Sequence, residues 1–327
     1  MKKTIALVTG GFSGEAVISY KSAVTIDNNL DRERFNVYKI DVNPKGWYYE
    51  MPDGRKTEID KNDFSLHLDN KKIEFDAVFI GMHGTPGEDG KLQGYFDTLK
   101  IPYTSCDAAT SALTFNKRYT VAVAKMANIS VANSLHVFKH SPVTGAQILN
   151  DLKLPLFVKP NNGGSSIGMS KVDHSEELDA AIAKAFNEDD QVLVEEMING
   201  REFTVGVFMT KGNIIVLPLT EVQAHSDKAF FDFEAKYQGK STETTPAVVE
   251  EAVADKIRDA AKRIYALFNC RGVVRIDFIY NEEKGQPFML EINTIPGQSE
   301  ASIVPQQVKA MGWSLKEFYT KLVEEVI

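Results

Sequence analysis

The sequence has few cysteines and no long apolar run, and each shortage excludes a class of protein. Cys106 and Cys270 are the two cysteines in 327 residues, and they lie far apart without the spacing of metal ligands. We interpret them as reduced thiols of a cytoplasmic protein. No stretch approaches the roughly 18 apolar residues of a membrane span. The short apolar start predicts a first strand and not a signal peptide.

The chain also lacks an excess of basic residues. It has 37 lysine and arginine residues against 45 aspartate and glutamate residues, which gives a net charge of −8. This balance provides no basic surface for nucleic acid or for an anionic membrane. An anionic ligand must therefore be bound by local cations and backbone N–H groups.

What the sequence does contain is typical of a globular protein with a sizeable core and room for two or three domains. Apolar strands are predicted at residues 5–9, 35–41 and 77–82, with a helix that ends near residue 30. This alternation predicts an open parallel α/β sheet with functional loops at the carboxyl ends of its strands. From about residue 108, the order strand, loop, strand, helix, strand predicts an α+β module.

A predicted β-hairpin on both sides of residues 281–285 carries unusual polar residues. Pairing Asp277 with Glu291 also pairs Arg275 with Asn293, and it keeps all four side chains on one face. The opposite face of the second strand is predicted to be apolar: Phe288, Leu290 and Ile292.

Two carboxylates in directly opposed positions repel each other, so a positive charge must compensate them. Oxygen ligands from Asp277, Glu291 and Asn293 suit Mg²⁺ or Mn²⁺, with phosphates and waters completing the coordination. Alternatively, Arg275 neutralises the two carboxylates in a purely structural network. The spacing alone leaves both interpretations open.

A glycine-rich loop at residues 163–168 follows a strand that ends at Lys159. Glycines allow backbone N–H groups to approach phosphate oxygens, and the lysine adds a positive charge. The loop is neither a Walker motif nor a dinucleotide fingerprint, and residues 10–14 also lack the glycine spacing of the latter. A plain hairpin turn is the alternative.

Three further features have both a functional and a structural interpretation. Glu195, Glu196 and Glu202 lie at strand ends and are either solvated or part of an adenine and ribose cleft, with backbone groups near Met197 contacting the purine. His83 is either a substrate neighbour or a structural hydrogen-bonding residue. The polar stretch 223–246 is a candidate lid, because loops of this length are usually functional or mobile.

Taken together, these motifs resemble the ATP-grasp ligases and, among them, the D-alanine–D-alanine ligases of bacterial cell-wall synthesis. The resemblance covers nearly the whole chain and rests on six segments in the family's order: residues 7–15, 83–90, 158–171, 233–237, 275–277 and 291–297. It implies three domains, with boundaries at Asp107 and Glu196. These are an N-terminal α/β domain, 1–107, and a two-domain ATP-grasp fold, 108–196 and 197–327.

In this family, ATP phosphorylates the carboxylate of one D-alanine, and the amine of a second D-alanine attacks the acyl phosphate. The resemblance implies two Mg²⁺ or Mn²⁺ ions bound by Asp277, Glu291 and Asn293. It also implies nucleotide contacts from the following residues: Lys117, Lys159, Ser165, Ser166, Glu195, Glu196, Met197, Ile198, Glu202, Lys236 and Asn293.

The resemblance implies substrate contacts as well. Glu15 matches the residue that binds the ammonium of the first D-alanine, and Ser165 and Tyr237 would hydrogen-bond with it to hold the lid shut. Arg275 and the backbone N–H of Gly297 match the donors that stabilise the oxyanion. The other substrate contacts are His83, Ser302 and Ile303, where Ser302 receives the carboxylate of the second D-alanine.

Two segments depart from the family pattern: Ala16-Val17 replaces a charged pair, and the lid differs in length and composition. Tyr237 favours a peptide product, since relatives that make D-alanyl-D-lactate tend to lack it. The alternatives are another ATP-grasp ligase, including one that uses D-lactate, and a non-catalytic nucleotide sensor. The resemblance also implies a homodimer.

Overall fold

The computed structural model describes residues 2–164, 166–224 and 241–327. The strands form three sheets, in each of which neighbouring strands are hydrogen-bonded. In chain order the strands are β1 Lys3–Gly10, β2 Phe35–Asn43, β3 Gly46–Glu50, β4 Lys56–Asp60, β5 Ser65–Leu68, β6 Lys71–Ile73, β7 Ala77–Ile80, β8 Ser134–Phe138, β9 Leu156–Pro160, β10 Ser170–Val172, β11 Gln191–Glu196, β12 Arg201–Thr210, β13 Asn213–Val216, β14 Thr220–Ala224, β15 Ser241–Thr244, β16 Val273–Asn281 and β17 Gln286–Asn293.

The helices of the described part flank these sheets. A 3₁₀ turn at Ser175–Glu177 precedes the sixth α-helix. The α-helices are α1 Ala16–Asn29, α2 Lys91–Leu99, α3 Ala108–Phe115, α4 Lys117–Met126, α5 Gly145–Ile148, α6 Leu178–Ala185, α7 Glu251–Leu267, α8 Ile303–Ala310 and α9 Leu315–Glu324. Within the described ranges, no helix is both long and apolar enough to cross a membrane.

The N-terminal sheet has seven strands in the order β6-β5-β4-β3-β2-β1-β7. The three predicted strands are present, and β1 pairs parallel with both β2 and β7. The predicted open α/β sheet is therefore present with its parallel strands, and β3 to β6 extend it by antiparallel pairing, which the sequence did not indicate. These short strands are joined by tight turns, which antiparallel neighbours allow and parallel neighbours do not.

The other two sheets lie in the second and third predicted segments of the chain. The central sheet has the order β10-β9-β11-β8, and the C-terminal sheet has the order β15-β14-β12-β16-β17, with β13 paired to β12. Each sheet therefore falls within one of the three predicted domains. The boundaries at residues 107 and 196 themselves stay a prediction.

The predicted hairpin of β16 and β17 has the expected register. Asp277 pairs with Glu291, and Arg275 pairs with Asn293. A β-bulge after Asp277 shifts the remaining pairs, so Phe278 lies opposite Met289. The prediction that Leu290 faces the core is therefore wrong: the inserted residue turns toward the cleft, and Met289 takes its place in the core.

One apolar core joins the N-terminal sheet to the C-terminal segment. Ile5 and Phe79 of the first sheet share a cluster with Phe208 of β12 and with Phe318 and Tyr319 of α9. The ring of Tyr319 packs edge-on against Phe79 at a centroid distance of 5.6 Å. This packing holds the loops after β1 and β7 next to the loops after β17.

A buried amide fixes α8 on the C-terminal sheet. Gln307 is fully buried, and its Oε1 accepts a hydrogen bond of 2.8 Å from the N–H of Gly206. Its Nε2 donates to the carbonyl of Thr204 at 2.9 Å and to Thr220 Oγ1 at 3.0 Å. The first turn of α8 is thereby held against the strand that lies beside β16.

Replacing Gln307 by leucine is expected to lower the free energy of unfolding by roughly 3 kcal/mol. Leucine has a similar size, but it leaves the buried N–H of Gly206 and the carbonyl of Thr204 without this partner, and each such group costs about 1–3 kcal/mol. Urea unfolding measures the change, and exposed Gln286→Leu is the matched control. Equal midpoints for the two variants would contradict the argument.

Candidate active site

The polar face of the hairpin forms a charged cluster. Arg275 donates two hydrogen bonds to Asp277, from Nε at 2.9 Å and from a terminal nitrogen at 2.8 Å. The same guanidinium lies 3.8 Å from Glu291 Oε1. The side chains of Arg275 and Asp277 are only 17% and 10% exposed. Arg275 thus supplies part of the compensation that two opposed carboxylates require.

The guanidinium does not reach every oxygen atom at this position. Asn293 Oδ1 is buried and has no hydrogen-bond partner in the described structure. Thr204, the cross-strand neighbour of Asp277 on β12, donates its hydroxyl to Asp277. The carboxylates of Asp277 and Glu291 and the amide oxygen of Asn293 line one cavity. This donor set fits a hard divalent cation.

Two lysines lie on the opposite wall of the cleft. Lys159 forms an ion pair with Glu195, its neighbour on the adjoining strand. Burial lowers the pKa of Lys159, but the carboxylates of Glu195 and Glu291 outweigh this effect and leave the pKa above its ordinary value. Lys117 donates to the carbonyl of Gly163 at 2.7 Å, so it is anchored to the glycine-rich loop. Lys159 is therefore charged, and both ammonium groups are held in place by these contacts.

A smaller and more apolar cavity of about 150 Å³ lies between the central and C-terminal sheets. The loop residues Ser166 and Ile167 cover it, and Leu290 of the bulge forms part of its base. Glycine-rich residues, the two lysines and the hairpin acids thus surround one continuous cleft. The residues that line both this cavity and the larger one are Lys117, Gly163, Gly164, Glu202, Asp277 and Glu291.

The segment after β11 forms one edge of the smaller cavity. Glu195, Glu196 and Ile198 line it, and Glu202 reaches it from the start of β12. The carboxylate of Glu196 accepts hydrogen bonds from Lys153 N–H and Asn133 Nδ2, both at 2.9 Å, so it supports the loop. The N–H of Met197 donates to the carbonyl of Pro155 at 2.9 Å and is not free to contact a purine.

The larger cavity, of about 310 Å³, extends from the hairpin to the N-terminal domain. Glu15 precedes α1, and its carboxylate lies between two glycines that are distant in sequence. A Cβ on Gly84 would be 2.5 Å from Glu15 Oε2, and a Cβ on Gly164 would be 2.8 Å from Oε1. Gly84 also has φ +67°, which disfavours other residues. Because both positions are glycine, the glycine-rich loop packs directly against the carboxylate of Glu15.

Two buried titratable residues, His83 and Glu88, line the same cavity as Glu15. Burial and the nearby charge of Glu15 raise the pKa of Glu88 to about 8, and its carboxylate accepts a hydrogen bond from Gly84 N–H at 2.7 Å. Burial lowers the pKa of His83 to about 4, so its imidazole is neutral at physiological pH. His83 Nε2 lies 2.9 Å from Ser22 Oγ, in agreement with a structural hydrogen-bonding role.

Glu88 makes the folded protein sensitive to pH. Its folded pKa of about 8 is higher than its ordinary value of 4.5, so the folded state keeps a proton that the unfolded state has lost. Stability is therefore expected to fall as the pH rises from about 5 to about 8. Glu88→Gln removes this ionisation and should flatten the dependence of the thermal midpoint on pH. Parallel curves for wild type and variant would contradict the assignment.

The far end of the larger cavity is formed by the loop after β17 and the start of α8. A Cβ on Gly297 would lie 2.8 Å from Ser302 Oγ, so the loop and the helix start are in close contact. Ser302 and Ser299 share a hydrogen bond of 2.8 Å between their hydroxyls. Ile303 is the first residue of α8, and it lines the cavity beside them.

Most of the residues singled out from the sequence thus meet around two adjoining cavities. Glu15, His83, Arg275, Gly297 and Ser302 line the larger one. Ser165, Lys236 and Tyr237 lie outside the described residues, as does most of the candidate lid. Glu88 was assigned no role from sequence, although it belongs to the motif at residues 83–90. Thr204 could have been found only from the pairing of β12 with β16.

Comparison with known proteins agrees with this geometry. The family described as "D-ala D-ala ligase N-terminus" matches residues 4–106, and the one described as "D-ala D-ala ligase C-terminus" matches residues 117–324. The chain belongs to the D-alanine–D-alanine ligase family. A D-alanine–D-alanine ligase of Phocaeicola vulgatus is 44% identical over 324 residues, which cover 99% of each chain.

Two solved ligase structures are similar to the whole chain. D-alanyl-alanine synthetase A from Vibrio cholerae has a TM-score of 0.88 at 29% identity, covering 99% of this chain and 98% of that one. The VanG D-Ala:D-Ser ligase from Enterococcus faecalis has the same TM-score at 32% identity, covering 99% of each chain. The ligase family therefore includes close structural relatives with different second substrates, and the fold alone does not decide between them.

Proposed function

We infer that this chain joins two D-alanine molecules to D-alanyl-D-alanine in an ATP-dependent reaction, for the synthesis of peptidoglycan precursors. The observation that carries the inference is the convergence of Glu15, the two lysines and the polar hairpin on one cleft, in a chain of this ligase family. The cleft has one apolar end that suits the adenine of ATP and one polar end that suits amino acids.

We propose that ATP binds with its adenine in the smaller cavity and its phosphates toward the larger one. The proposed adenine and ribose contacts come from residues 195–198 and Glu202, of which all but Met197 line the smaller cavity. Lys117 lines both cavities and Lys159 lines the smaller one, and their charges would offset those of the phosphates. Ser165, Ser166 and Lys236 are the proposed contacts from the glycine-rich loop and the lid.

Asp277, Glu291 and Asn293 are the residues that would hold two Mg²⁺ or Mn²⁺ ions. The unpartnered Asn293 Oδ1 beside two carboxylates supports this assignment. When bound, the cations offset the negative charge of the phosphates. The terminal nitrogen of Arg275 that donates to Asp277 also lies 3.8 Å from Glu291 Oε1, and Arg275 lines the larger cavity beside the proposed substrate site.

The residues around the larger cavity bind and orient the two amino acids. Glu15 binds the ammonium of the first D-alanine, whose carboxylate attacks the γ-phosphate, displaces ADP and becomes an acyl phosphate. The second D-alanine docks its carboxylate at Ser302. After its ammonium loses a proton, the amine attacks the acyl carbon and displaces phosphate. Arg275 and the N–H of Gly297 donate to the oxyanion that develops there.

The proposed lid would exclude water during this reaction. An acyl phosphate exposed to water is hydrolysed before it can form an amide. Ser165 and Tyr237 are proposed to hydrogen-bond with Glu15, and Gly164 already lies against its carboxylate. We also propose that the protein acts in the cytoplasm as a homodimer, which light scattering can test.

Coupled ADP release over a panel of acceptors tests the proposal. With ATP and Mg²⁺ present, D-alanine alone should support turnover and give D-alanyl-D-alanine by mass spectrometry. No turnover with D-alanine alone would contradict it. Turnover that requires D-lactate or D-serine would indicate another ligase of this fold, and nucleotide binding without phosphate release would indicate a sensor.

A further inference from the structure

Glu243 is a carboxylate of the larger cavity to which neither the sequence motifs nor the proposed reaction gives a role. It lies on β15, opposite Val222 of β14, and lines the cavity together with Arg275 and Ser302. Among the described residues, Gln306 of α8 donates to it through Nε2 at 3.3 Å. The carboxylate is thus held next to the first turn of α8.

The second amino acid needs an anionic partner at this end of the cavity. A free D-alanine is a zwitterion, so a site that receives its carboxylate must also accommodate its ammonium. At the acceptor end, the groups around Ser302 are hydroxyls and the start of a helix, which favour a negative charge. Glu15 and Glu88 belong to the other end of the cavity and to the first amino acid.

The surroundings of Glu243 compensate the charge of its carboxylate only in part. Burial raises the pKa of Glu243 above its ordinary value, and Gln306 and the charge of Arg275 only oppose this shift. A partly buried carboxylate whose pKa stays raised beside a neutral donor and a nearby guanidinium is only partly compensated. An ammonium group arriving with the substrate would supply the missing positive charge.

We propose that Glu243 binds the ammonium group of the acceptor D-alanine and so selects an amino acid over a hydroxy acid at the second site. The proposal rests on the proposed ligase function. Gln306 holds the carboxylate of Glu243 at a fixed position relative to α8. Ser302 would therefore contact the carboxylate of the acceptor, and Glu243 would contact its ammonium group. D-lactate offers a carboxylate to Ser302 but nothing cationic to Glu243.

A competition assay with Glu243→Gln tests this directly. Two acceptors compete for the same acyl phosphate, so their product ratio is independent of ATP binding, metal binding and the first D-alanine. The assay offers D-alanine against D-lactate, with hydroxylamine as a neutral reference nucleophile that also traps the acyl phosphate. The ratio of D-alanyl-D-alanine to the products formed with D-lactate and with hydroxylamine is expected to fall at least about tenfold in the variant.

Glu243→Asp, which keeps the charge, should restore part of the ratio, and exposed Glu283→Gln is the charge-matched control. A thermal melt and an ATP titration confirm that each variant is folded and binds nucleotide. A ratio within twofold of wild type, or an equal loss of all products in folded protein, would overturn the proposal. Absence of both peptide and trapped product in the wild type would instead contradict the ligase function.

Discussion

Replacing Arg275 by alanine is expected to lower kcat about 10²–10³-fold while leaving ATP affinity nearly unchanged. One oxyanion donor is typically worth about 2.7–4 kcal/mol in the transition state. The side chain lies at the junction of hairpin and substrate cavity, away from the apolar pocket proposed for adenine. Steady-state kinetics and nucleotide titration of folded protein measure the two effects separately.

The ion pair with Asp277 adds a second expected effect of the same substitution. Loss of one partner from a mostly buried pair costs about 3–5 kcal/mol, so the variant should also be less stable without ligands. Added Mg²⁺ should restore part of this loss, since it takes over the compensation of Asp277 and Glu291. Exposed Arg271, which pairs with Asp107 at 3.5 Å, provides the control substitution Arg271→Ala. Equal losses of kcat and ATP affinity would indicate a ground-state binding role for Arg275.

Glu291→Gln is expected to raise the Mg²⁺ concentration needed for half-maximal turnover at least about tenfold, with little change in folding. The change removes an anionic oxygen ligand but also removes the repulsion between Glu291 and its cross-strand partner Asp277. Unfolding in the absence of metal should therefore show an unchanged or higher stability. Turnover as a function of Mg²⁺ concentration measures the first effect, and denaturant unfolding measures the second.

Glu283→Gln at the exposed turn of the same hairpin is the control for this experiment. It removes the same charge from the same pair of strands at a distance from the cavity. If Glu291→Gln instead unfolds the protein while each folded molecule keeps wild-type activity and Mg²⁺ dependence, the residue is structural. The hairpin would then be a neutralised network centred on Arg275.

The hairpin register could be predicted because its pattern has a single solution. One register puts all four polar residues on one face, and the structure has that register between Arg275 and Asp277. The β-bulge after Asp277 could not be predicted from this pattern. Met289 and Leu290 are both apolar, so periodicity does not say which of them packs in the core and which lines the cleft.

The N-terminal sheet shows the opposite case. Buried strands such as β1 contain continuous apolar runs, and such a run predicts a buried strand. The strands β4 and β6 are short and largely exposed, so their sequences resemble loops. What makes them strands is pairing with neighbours, which is a tertiary effect that a local pattern does not contain.

The site residues likewise divide into those that a local sequence pattern predicts and those that depend on tertiary contacts. Acids and lysines at strand ends could be proposed from sequence, because their positions follow from the elements that carry them. The contact of Glu15 with Gly84 and Gly164 joins three distant segments. The raised pKa of Glu88 comes first from burial and then from the charge of Glu15, and both are tertiary effects. Glu243 lies near the end of the candidate lid, whose sequence has no regular pattern, so its position in the cavity could not be predicted.

The measurement that tests the account most directly is the transfer of oxygen from substrate to phosphate. D-alanine labelled with ¹⁸O in both carboxylate oxygens is incubated with the protein, ATP and Mg²⁺, and the released phosphate is analysed by mass spectrometry. If the cleft activates a carboxylate as an acyl phosphate, each phosphate released carries one ¹⁸O atom. Unlabelled phosphate released alongside D-alanyl-D-alanine would contradict this chemistry.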